Sequence, residues 1–362
     1  MCQELNNLVM RLMTDPSVPA DVRDHVLNAV LEQLRRGGVG QLQVPGTLLA
    51  PQPQVFTGAA AAAPASTRRL VYVHGICSHV SGYSDSMWHA LMPFASNVFG
   101  AGTLGQTRLE VLWSDIVNHA SNALGAAAIG TGATAQPAAL SSERNRQKAA
   151  SEIRDALSDR ADQHQMIASA SAPAAFGAAP MAALDGFSIP GLSCVDDFSI
   201  YLTSNSIRQQ IIDRFTSIVG PQLNSGVQID IISHSWGTVV AYEGLRQLAA
   251  SGTTSGFVRN FFTVGAALSI GPVKSRLLET NQDGQKPSNV RQWINLNARG
   301  DLVGGTLKGR PFQVDTDYVN LDPVGCPGFS VFVSPICAHS SYFVDANVAV
   351  NRDLFARYIT SL

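Results

Sequence analysis

The sequence predicts an α/β protein with a mostly parallel central sheet and helices on both faces. Apolar segments of strand length alternate along the chain with segments of helical period. Several of the strand-like segments run directly into turns made of small and polar residues. Because ligands bind beside the carboxyl ends of parallel strands, we expect the functional residues in those turns.

The elements follow one another in a regular order. Strand-like segments lie at 69–74, 107–113, 227–233, 258–265 and 291–297, with a weaker one at 328–333. Helical patterns lie at 85–98, 197–219, 237–250, 272–280 and 345–360. The 362 residues are enough to bury one large core with accessory pieces. One domain with insertions fits better than two equal domains, because the candidate functional residues are spread along the chain.

Two segments depart from this alternation. Residues 1–66 contain an amphipathic pattern at 21–36, which Gly37 and Gly38 end, and then an aperiodic stretch of Gly, Pro and Ala. We expect an N-terminal helical arm and linker there, and the main domain at 67–362. Residues 118–190 are rich in Ala, Gly and Ser with scattered large apolar residues, and a polar helical pattern covers 142–166.

Composition excludes some classes of partner. The 25 basic and 27 acidic residues give a formal charge of −2, so no electrostatic footprint for nucleic acid exists. No stretch reaches the apolar length of a membrane span, and the first residues lack the apolar run of a secretion signal. We therefore expect a cytoplasmic protein without an integral membrane segment. The oligomeric state cannot be predicted.

The five cysteines are Cys2, Cys77, Cys194, Cys326 and Cys337. None form a closely spaced pair typical of a metal site. Cys326 and Cys337 flank a strand-like segment and could form a disulfide in an oxidising compartment, but we favour free thiols.

The segment from Gln228 to Gly237 has the pattern of a nucleophile elbow. An apolar strand runs into Ser235, small residues stand two positions before and after it at Ser233 and Gly237, and a helical pattern follows. Such a tight turn exposes the serine hydroxyl and places the Trp236 N–H at a helix N-terminus, where it can stabilise an oxyanion. A serine that merely caps a helix after a buried strand is the alternative.

Three further signatures accompany the elbow. His74 and Gly75 end the first strand, Gly300 and Asp301 follow the strand at 291–297, and His339 precedes the last helical segment. The order Ser235, Asp301, His339 is that of the triad in α/β-hydrolases. For the acid, Asp315, Asp317 and Asp322 remain alternatives, but we expect them in an irregular region, whereas Asp301 directly follows a strand. As bases, His74, His79, His89 and His234 are less suitable.

On these four signatures the chain resembles α/β-hydrolases of the bacterial lipase and carboxylesterase kind, from about residue 68 to the C-terminus. The segments Val111–Asp115 and Asp196–Leu202 are also similar to parts of bacterial serine hydrolases. The resemblance implies the α/β-hydrolase fold and a loop after His74 in which Ile76 donates the second oxyanion N–H. It also implies that the insertion at 118–190 is a helical cap over the substrate; a surface excursion without substrate contact is the alternative.

The expected activity is hydrolysis of carboxylic esters through an acyl-enzyme, with Ser235 as nucleophile, His339 as base and Asp301 orienting His339. Trp236 and Ile76 would form the oxyanion hole, and His74, Gly75, Cys77 and His234 would line the substrate pocket. We expect no metal and no cofactor. The substrate would be a small-molecule, lipid or polymeric ester; a thioesterase, a phospholipase, a polyester depolymerase and a non-catalytic binding protein of this fold remain alternatives.

Overall fold

The computed structural model describes residues 68–75, 77–100, 102–121, 137–171, 195–252, 256–309, 312–326 and 335–361. All structural statements below concern these residues. The arm predicted at 1–66 and the weak strand predicted at 328–333 lie outside them and stay predictions.

Six parallel strands form one sheet in the order β2-β1-β3-β4-β5-β6. The strands are β1 (Arg68–Val73), β2 (Arg108–Val111), β3 (Gln228–His234), β4 (Val258–Val264), β5 (Val290–Ala298) and β6 (Thr316–Leu321). The α/β class and the parallel sheet are therefore as predicted. After β1 the chain adds β2 on one side and later β3 on the other, so the strand order reverses between β1 and β3. Such a reversal opens a crevice at the carboxyl ends of the two strands.

The first five strands confirm the predicted ones within one or two residues at most ends. β6 was not predicted, because 316–321 was interpreted as irregular. Its sequence, TDYVNL, has no apolar alternation, and its side chains are half-buried or exposed. It pairs only with β5 at the sheet edge, so backbone pairing rather than burial makes it a strand.

The helices differ more from the prediction. The α-helices are α1 (Asp85–Phe99), α2 (Pro137–Ser171), α3 (Val195–Thr203), α4 (Asn205–Asn224), α5 (Gly237–Ser251), α6 (Gly271–Lys274) and α7 (Pro335–Ser340). A π-helix (Ala349–Ala356) continues into α8 (Arg357–Thr360). Residues 114–121 are also helical.

Two predicted helices were wrong in extent. The helix predicted at 197–219 is divided at Ser204, whose hydroxyl accepts a hydrogen bond from the Ile207 N–H and caps α4. The helix predicted at 272–280 ends at Lys274. Beyond this point the Arg276 carbonyl accepts from the Arg208 side chain, and the Leu278 N–H donates to the Glu243 carboxylate. These backbone groups therefore bond to distant side chains instead of forming the hydrogen bonds of a helix.

Two hydrophobic clusters cover the two faces of the sheet. Along β1, Val71 and Val73 belong to one cluster, and Leu70 and Tyr72 belong to the other, as the alternation of a strand requires. Helices α3, α4 and α5 pack on the first face, and α1 with the C-terminal helices packs on the second. The insertion helix α2 adds Ala150, Ile153 and Leu157 to the first cluster, so it is part of the main core.

The expectation of free thiols was wrong. Cys326 and Cys337 form a disulfide, with their Cα atoms 5.5 Å apart. Cys77 is also disulfide-bonded, with a partner outside the described residues. The sequence marked Cys326 and Cys337 as a possible pair, but it could not show that the two segments that carry them fold side by side. Among the described helices, none combines the length and apolar character that crossing a bilayer requires.

Candidate active site

Ser235 lies between the end of β3 and the first residue of α5. Its φ of 57° is in the left-handed region, which is rare for a residue with a side chain. The Ser235 N–H donates to the Val264 carbonyl, and its own carbonyl accepts from the Thr238 N–H and hydroxyl. These bonds hold the strained turn, as expected where strain serves a site.

The residues around this turn have to be small because neighbouring backbone atoms lie very close to them. A Cβ on Gly237 would lie 2.1 Å from the carbonyl oxygen of His74, and one on Gly75 would lie 2.8 Å from the Ser235 Cβ. At the other small position, Ser233 is fully buried and donates its hydroxyl to the Phe262 carbonyl. A serine fits there because its hydroxyl finds this acceptor. The loop after β1 therefore lies directly against the Ser235 turn.

The structure brings Ser235, His339 and Asp301 together. The Nε2 of His339 lies 2.8 Å from the Ser235 Oγ, and its Nδ1 lies 2.9 Å from the Asp301 Oδ1. His339 lies on α7, whereas Asp301 follows β5. With the carboxylate accepting at Nδ1–H, the Nε2 lone pair faces the serine hydroxyl, so His339 can accept its proton.

The Asp301 carboxylate is fully buried and well supplied with donors. Its Oδ1 also accepts from the N–H groups of Val303 and Gly304, both at 2.9 Å, and its Oδ2 accepts from the Tyr342 hydroxyl at 2.6 Å. Burial by itself raises the pKa of Asp301, but the attraction of His339 and these hydrogen bonds outweigh burial and lower it to about 2. Asp301 therefore stays ionised at neutral pH.

The loop after β1, predicted to contribute to an oxyanion hole, is described only in part. Gly75 lies against Ser235, but Ile76 falls outside the described residues, so its predicted role stays a prediction. Trp236 is the N-cap residue of α5, and the first N–H groups of a helix have no acceptor within it. The Trp236 side chain is buried against Phe198, with the ring centroids 4.4 Å apart. Its backbone, rather than its indole, is the part available to a substrate oxygen.

His74 holds the start of the loop after β1 as a neutral imidazole. Its Nδ1 lies 2.6 Å from the Gly75 carbonyl, and its Nε2 accepts from the Trp113 N–H at 3.1 Å. A carbonyl can only accept and an N–H can only donate, so the proton must be on Nδ1. Burial, followed by the nearby His79, lowers the pKa of His74 well below its usual range.

The two remaining predicted pocket residues are His234 and Cys77. His234 is half-buried, and its Nε2 donates to the His339 carbonyl at 2.8 Å, so it supports the segment that carries His339. Burial, with the neighbouring His339, lowers the pKa of His234 to about 3. Cys77 has a φ of 75° and is disulfide-bonded, so it has no free thiol.

The alternative acids bind other groups. Asp315 pairs with Lys286, Asp317 accepts from Asn295 and Thr306, and Asp322 pairs with Arg299. The prediction that these aspartates lie in irregular chain was wrong for Asp317, which is on β6. Among the alternative bases, His89 is exposed on α1, and the ring of His79 lies tilted against that of His74, with the centroids 4.2 Å apart.

Several supporting residues were missed by the sequence analysis. Tyr342 accepts from the Ala298 N–H and donates to Asp301, so it ties the end of β5 to the carboxylate. A Cβ on Gly265 would lie 2.7 Å from the Asp301 Oδ2 and 2.9 Å from the His339 ring, and one on Gly304 would lie 2.7 Å from the same Oδ2. No local pattern marks these residues, because their partners are distant in sequence.

No family model, curated protein or solved structure matches this chain. Among the described residues, no group of three or more His, Cys, Asp and Glu side chains is arranged to hold a metal. The site's chemistry therefore has to be argued from its own geometry.

Proposed function

We propose that this chain is a serine hydrolase that cleaves carboxylic ester bonds, a carboxylesterase or lipase of the α/β-hydrolase superfamily. The observation that carries the proposal is the hydrogen-bonded series from the Ser235 Oγ through His339 to Asp301. The strand order, the reversal between β1 and β3, and the sequence order of the three residues support the superfamily assignment.

The proposed mechanism is acyl transfer to water through an acyl-enzyme. His339 Nε2 takes the proton from the Ser235 hydroxyl as Oγ attacks the ester carbonyl carbon, and Asp301 stabilises the imidazolium that forms. The N–H groups of Trp236 and Ile76 hold the oxyanion; removing one such donor typically costs about 3 kcal/mol. His339 then protonates the leaving alcohol, and the acyl-enzyme is hydrolysed by a water that His339 activates.

The geometry argues against the two non-catalytic alternatives. A serine that only caps a helix needs no base at 2.8 Å from its hydroxyl and no positive φ. A binding protein of the same fold would have no need to keep a buried carboxylate, with its pKa lowered to about 2, beside the imidazole. Perturbed titratable groups that converge in this way are typical of catalysis.

The decisive experiment uses a fluorophosphonate probe and p-nitrophenyl butyrate. Wild-type protein should be labelled at Ser235 and should hydrolyse the ester, and Ser235→Ala should lose both. Ser217→Ala, an exposed serine on α4, is the matched control and should behave as wild type. Unchanged hydrolysis by a folded Ser235→Ala protein would refute the proposal.

The substrate class is a finer question. Thioesterase, phospholipase and polyester depolymerase activities use the same triad, so p-nitrophenyl esters of graded chain length should be compared with acyl-CoA and phospholipid. The insertion at 118–190 is proposed to be a cap. Because α2 is part of the core, only residues outside α2 should be shortened in a test of that proposal. An unchanged chain-length profile after such a deletion would argue against a cap.

The disulfides indicate the kind of compartment in which the protein folds. Disulfides are rare in the reducing cytosol, and Cys77, Cys326 and Cys337 are all bonded. We therefore favour an oxidising compartment over the cytoplasm that the sequence predicted. Thiol labelling of protein isolated under non-reducing conditions would decide between the two.

A further inference from the structure

The insertion helix α2 reaches the Asp301 turn through the side chain of Arg160. Its Nη1 lies 3.0, 3.0 and 3.1 Å from the carbonyl oxygens of Leu302, Val303 and Gly304, which share its two hydrogens. Its Nη2 donates to the Ser269 carbonyl at 2.6 Å, and Nη1 also lies 3.1 Å from the Ser269 hydroxyl. Three carbonyl oxygens that converge on one point repel one another, and the guanidinium between them removes that repulsion.

The carbonyls that Arg160 binds belong to the peptide groups that bind Asp301. The Leu302 carbonyl and the Val303 N–H form one peptide group, and the Val303 carbonyl and the Gly304 N–H form the next. Both N–H groups donate to the Asp301 Oδ1 at 2.9 Å. Each peptide group thus has a cation at its carbonyl end and an anion at its N–H end, an arrangement in which hydrogen bonds polarise and strengthen one another.

We propose that Arg160 is a positioning residue for Asp301. Arg160 acts through these two peptide groups, so that the insertion helix sets the alignment of Asp301 with His339. The inference rests on the proposed function. Arginine suits this role because its planar fork offers several donors at fixed angles. The ammonium of lysine can replace the charge but not the fork.

Ser269 completes the arrangement. Its hydroxyl donates to the Val303 carbonyl at 3.0 Å, so two groups hold the same peptide group from one side. Ser269 lies just beyond β4, and Asp301 lies just beyond β5. Arg160 therefore connects the insertion to two neighbouring strand ends of the catalytic edge.

The test compares Arg160→Met and Arg160→Lys with Arg154→Met. Arg154 lies on the same helix but pairs with Asp196, which is remote in sequence from the Asp301 turn. Arg154→Met therefore removes a cation from α2 and leaves the contacts of Arg160 in place. In Arg160→Met we expect kcat on p-nitrophenyl butyrate to fall about ten- to a hundredfold with KM nearly unchanged, because misalignment acts on the reacting groups rather than on binding. Arg160→Lys should recover part of kcat, and Arg154→Met should match wild type.

A second measurement keeps the inference independent of the proposed activity. The Nδ1–H proton that His339 donates to Asp301 can be observed at the downfield end of the proton NMR spectrum. Its exchange with water should become faster in Arg160→Met but not in Arg154→Met. This holds even if wild-type protein hydrolyses no ester and binds no fluorophosphonate, an outcome that would refute only the proposed function. Unchanged kcat and unchanged proton exchange in Arg160→Met, or equal losses in Arg154→Met, would overturn the inference. If Arg160→Met does not fold, Ser269→Ala should give a smaller fall in kcat of the same kind, and wild-type values there would equally overturn it.

Discussion

At the scale of single residues, the site depends on close approach between backbones. Ser235 adopts a positive φ, and the loop after β1 passes so near that only glycine fits at 75 and 237. The strain at Ser235 is compensated by hydrogen bonds to Val264 and Thr238 from neighbouring segments. The geometry of Ser235 is therefore set by steric exclusion as much as by hydrogen bonding.

Replacing Gly237 by Ala tests that exclusion. In an ordinary helix the change stabilises by roughly 1 kcal/mol, but here the added Cβ would lie 2.1 Å from the His74 carbonyl oxygen. We expect the clash to win, with a net loss of about 1–3 kcal/mol in the free energy of unfolding and a large fall in kcat. Gly271→Ala, at a helix start with open space, is the control and should not destabilise. Urea unfolding of both variants measures the difference.

Asp301→Asn tests the orienting role. An amide cannot stabilise the imidazolium and favours the wrong tautomer of His339, so we expect kcat to fall by about 10⁴ with the fold intact. Tyr342→Phe should cause a smaller fall, because it removes one of several donors to Asp301 and leaves the Ala298 N–H without its acceptor. Steady-state kinetics beside circular dichroism would measure both. Equal activity of Asp301→Asn and wild type would contradict the assignment.

At the scale of elements, His339 lies on a short helix that would not be stable by itself. Helix α7 has six residues, and isolated helices of that length are unstable in water. The disulfide from Cys326 fixes this helix at Cys337, two positions before His339, while the His339 carbonyl accepts from His234. Covalent and hydrogen-bonded restraints therefore replace helix propensity in positioning His339.

The double variant Cys326→Ser/Cys337→Ser should lose stability and turnover together. The bridge closes a loop with a sequence separation of 11 residues, for which the chain-entropy model gives about 3 kcal/mol. We expect a lower melting temperature and a lower kcat, since the His339 segment loses its covalent restraint. Calorimetry and ester kinetics without reductant would show both. A variant with a lower melting temperature but full kcat would limit the disulfide to a stabilising role.

At the scale of the whole molecule, buried titratable groups make the fold sensitive to acid. In the folded chain the pKa of His234 is lowered to about 3, that of His74 is lowered well below its usual range, and that of Asp301 is lowered to about 2. In each case the unfolded chain binds protons more readily. The contribution of the two histidines to the free energy of unfolding is therefore complete above about pH 6.5, and that of Asp301 above about pH 4. Both contributions are lost as the pH falls below these values. Burial raises the pKa of Asp230, which acts in the opposite direction.

We expect the urea midpoint to fall from pH 7 towards pH 4. For His234 the lowered pKa means that the unfolded chain takes up a proton near pH 6.5 that the folded chain resists, so stability falls below that pH. His234→Gln retains a donor for the His339 carbonyl and should show a shallower dependence of stability on pH. His89→Gln, which changes an exposed histidine, should keep the wild-type slope. Identical slopes in all three proteins would exclude His234 as a source of acid sensitivity.

The sequence by itself determined the α/β class, five of the six strands and the positions of Ser235, Asp301 and His339. Strong apolar runs such as that before Ser235 specify buried strands locally, and the residue types at their ends indicate the chemistry. Only the tertiary structure decided that 316–321 is a strand, that Cys326 bonds Cys337, and that Tyr342 and Arg160 reach the Asp301 turn. Edge pairing, disulfides and hydrogen bonds between distant segments depend on which parts of the chain fold side by side, and no local pattern contains that information.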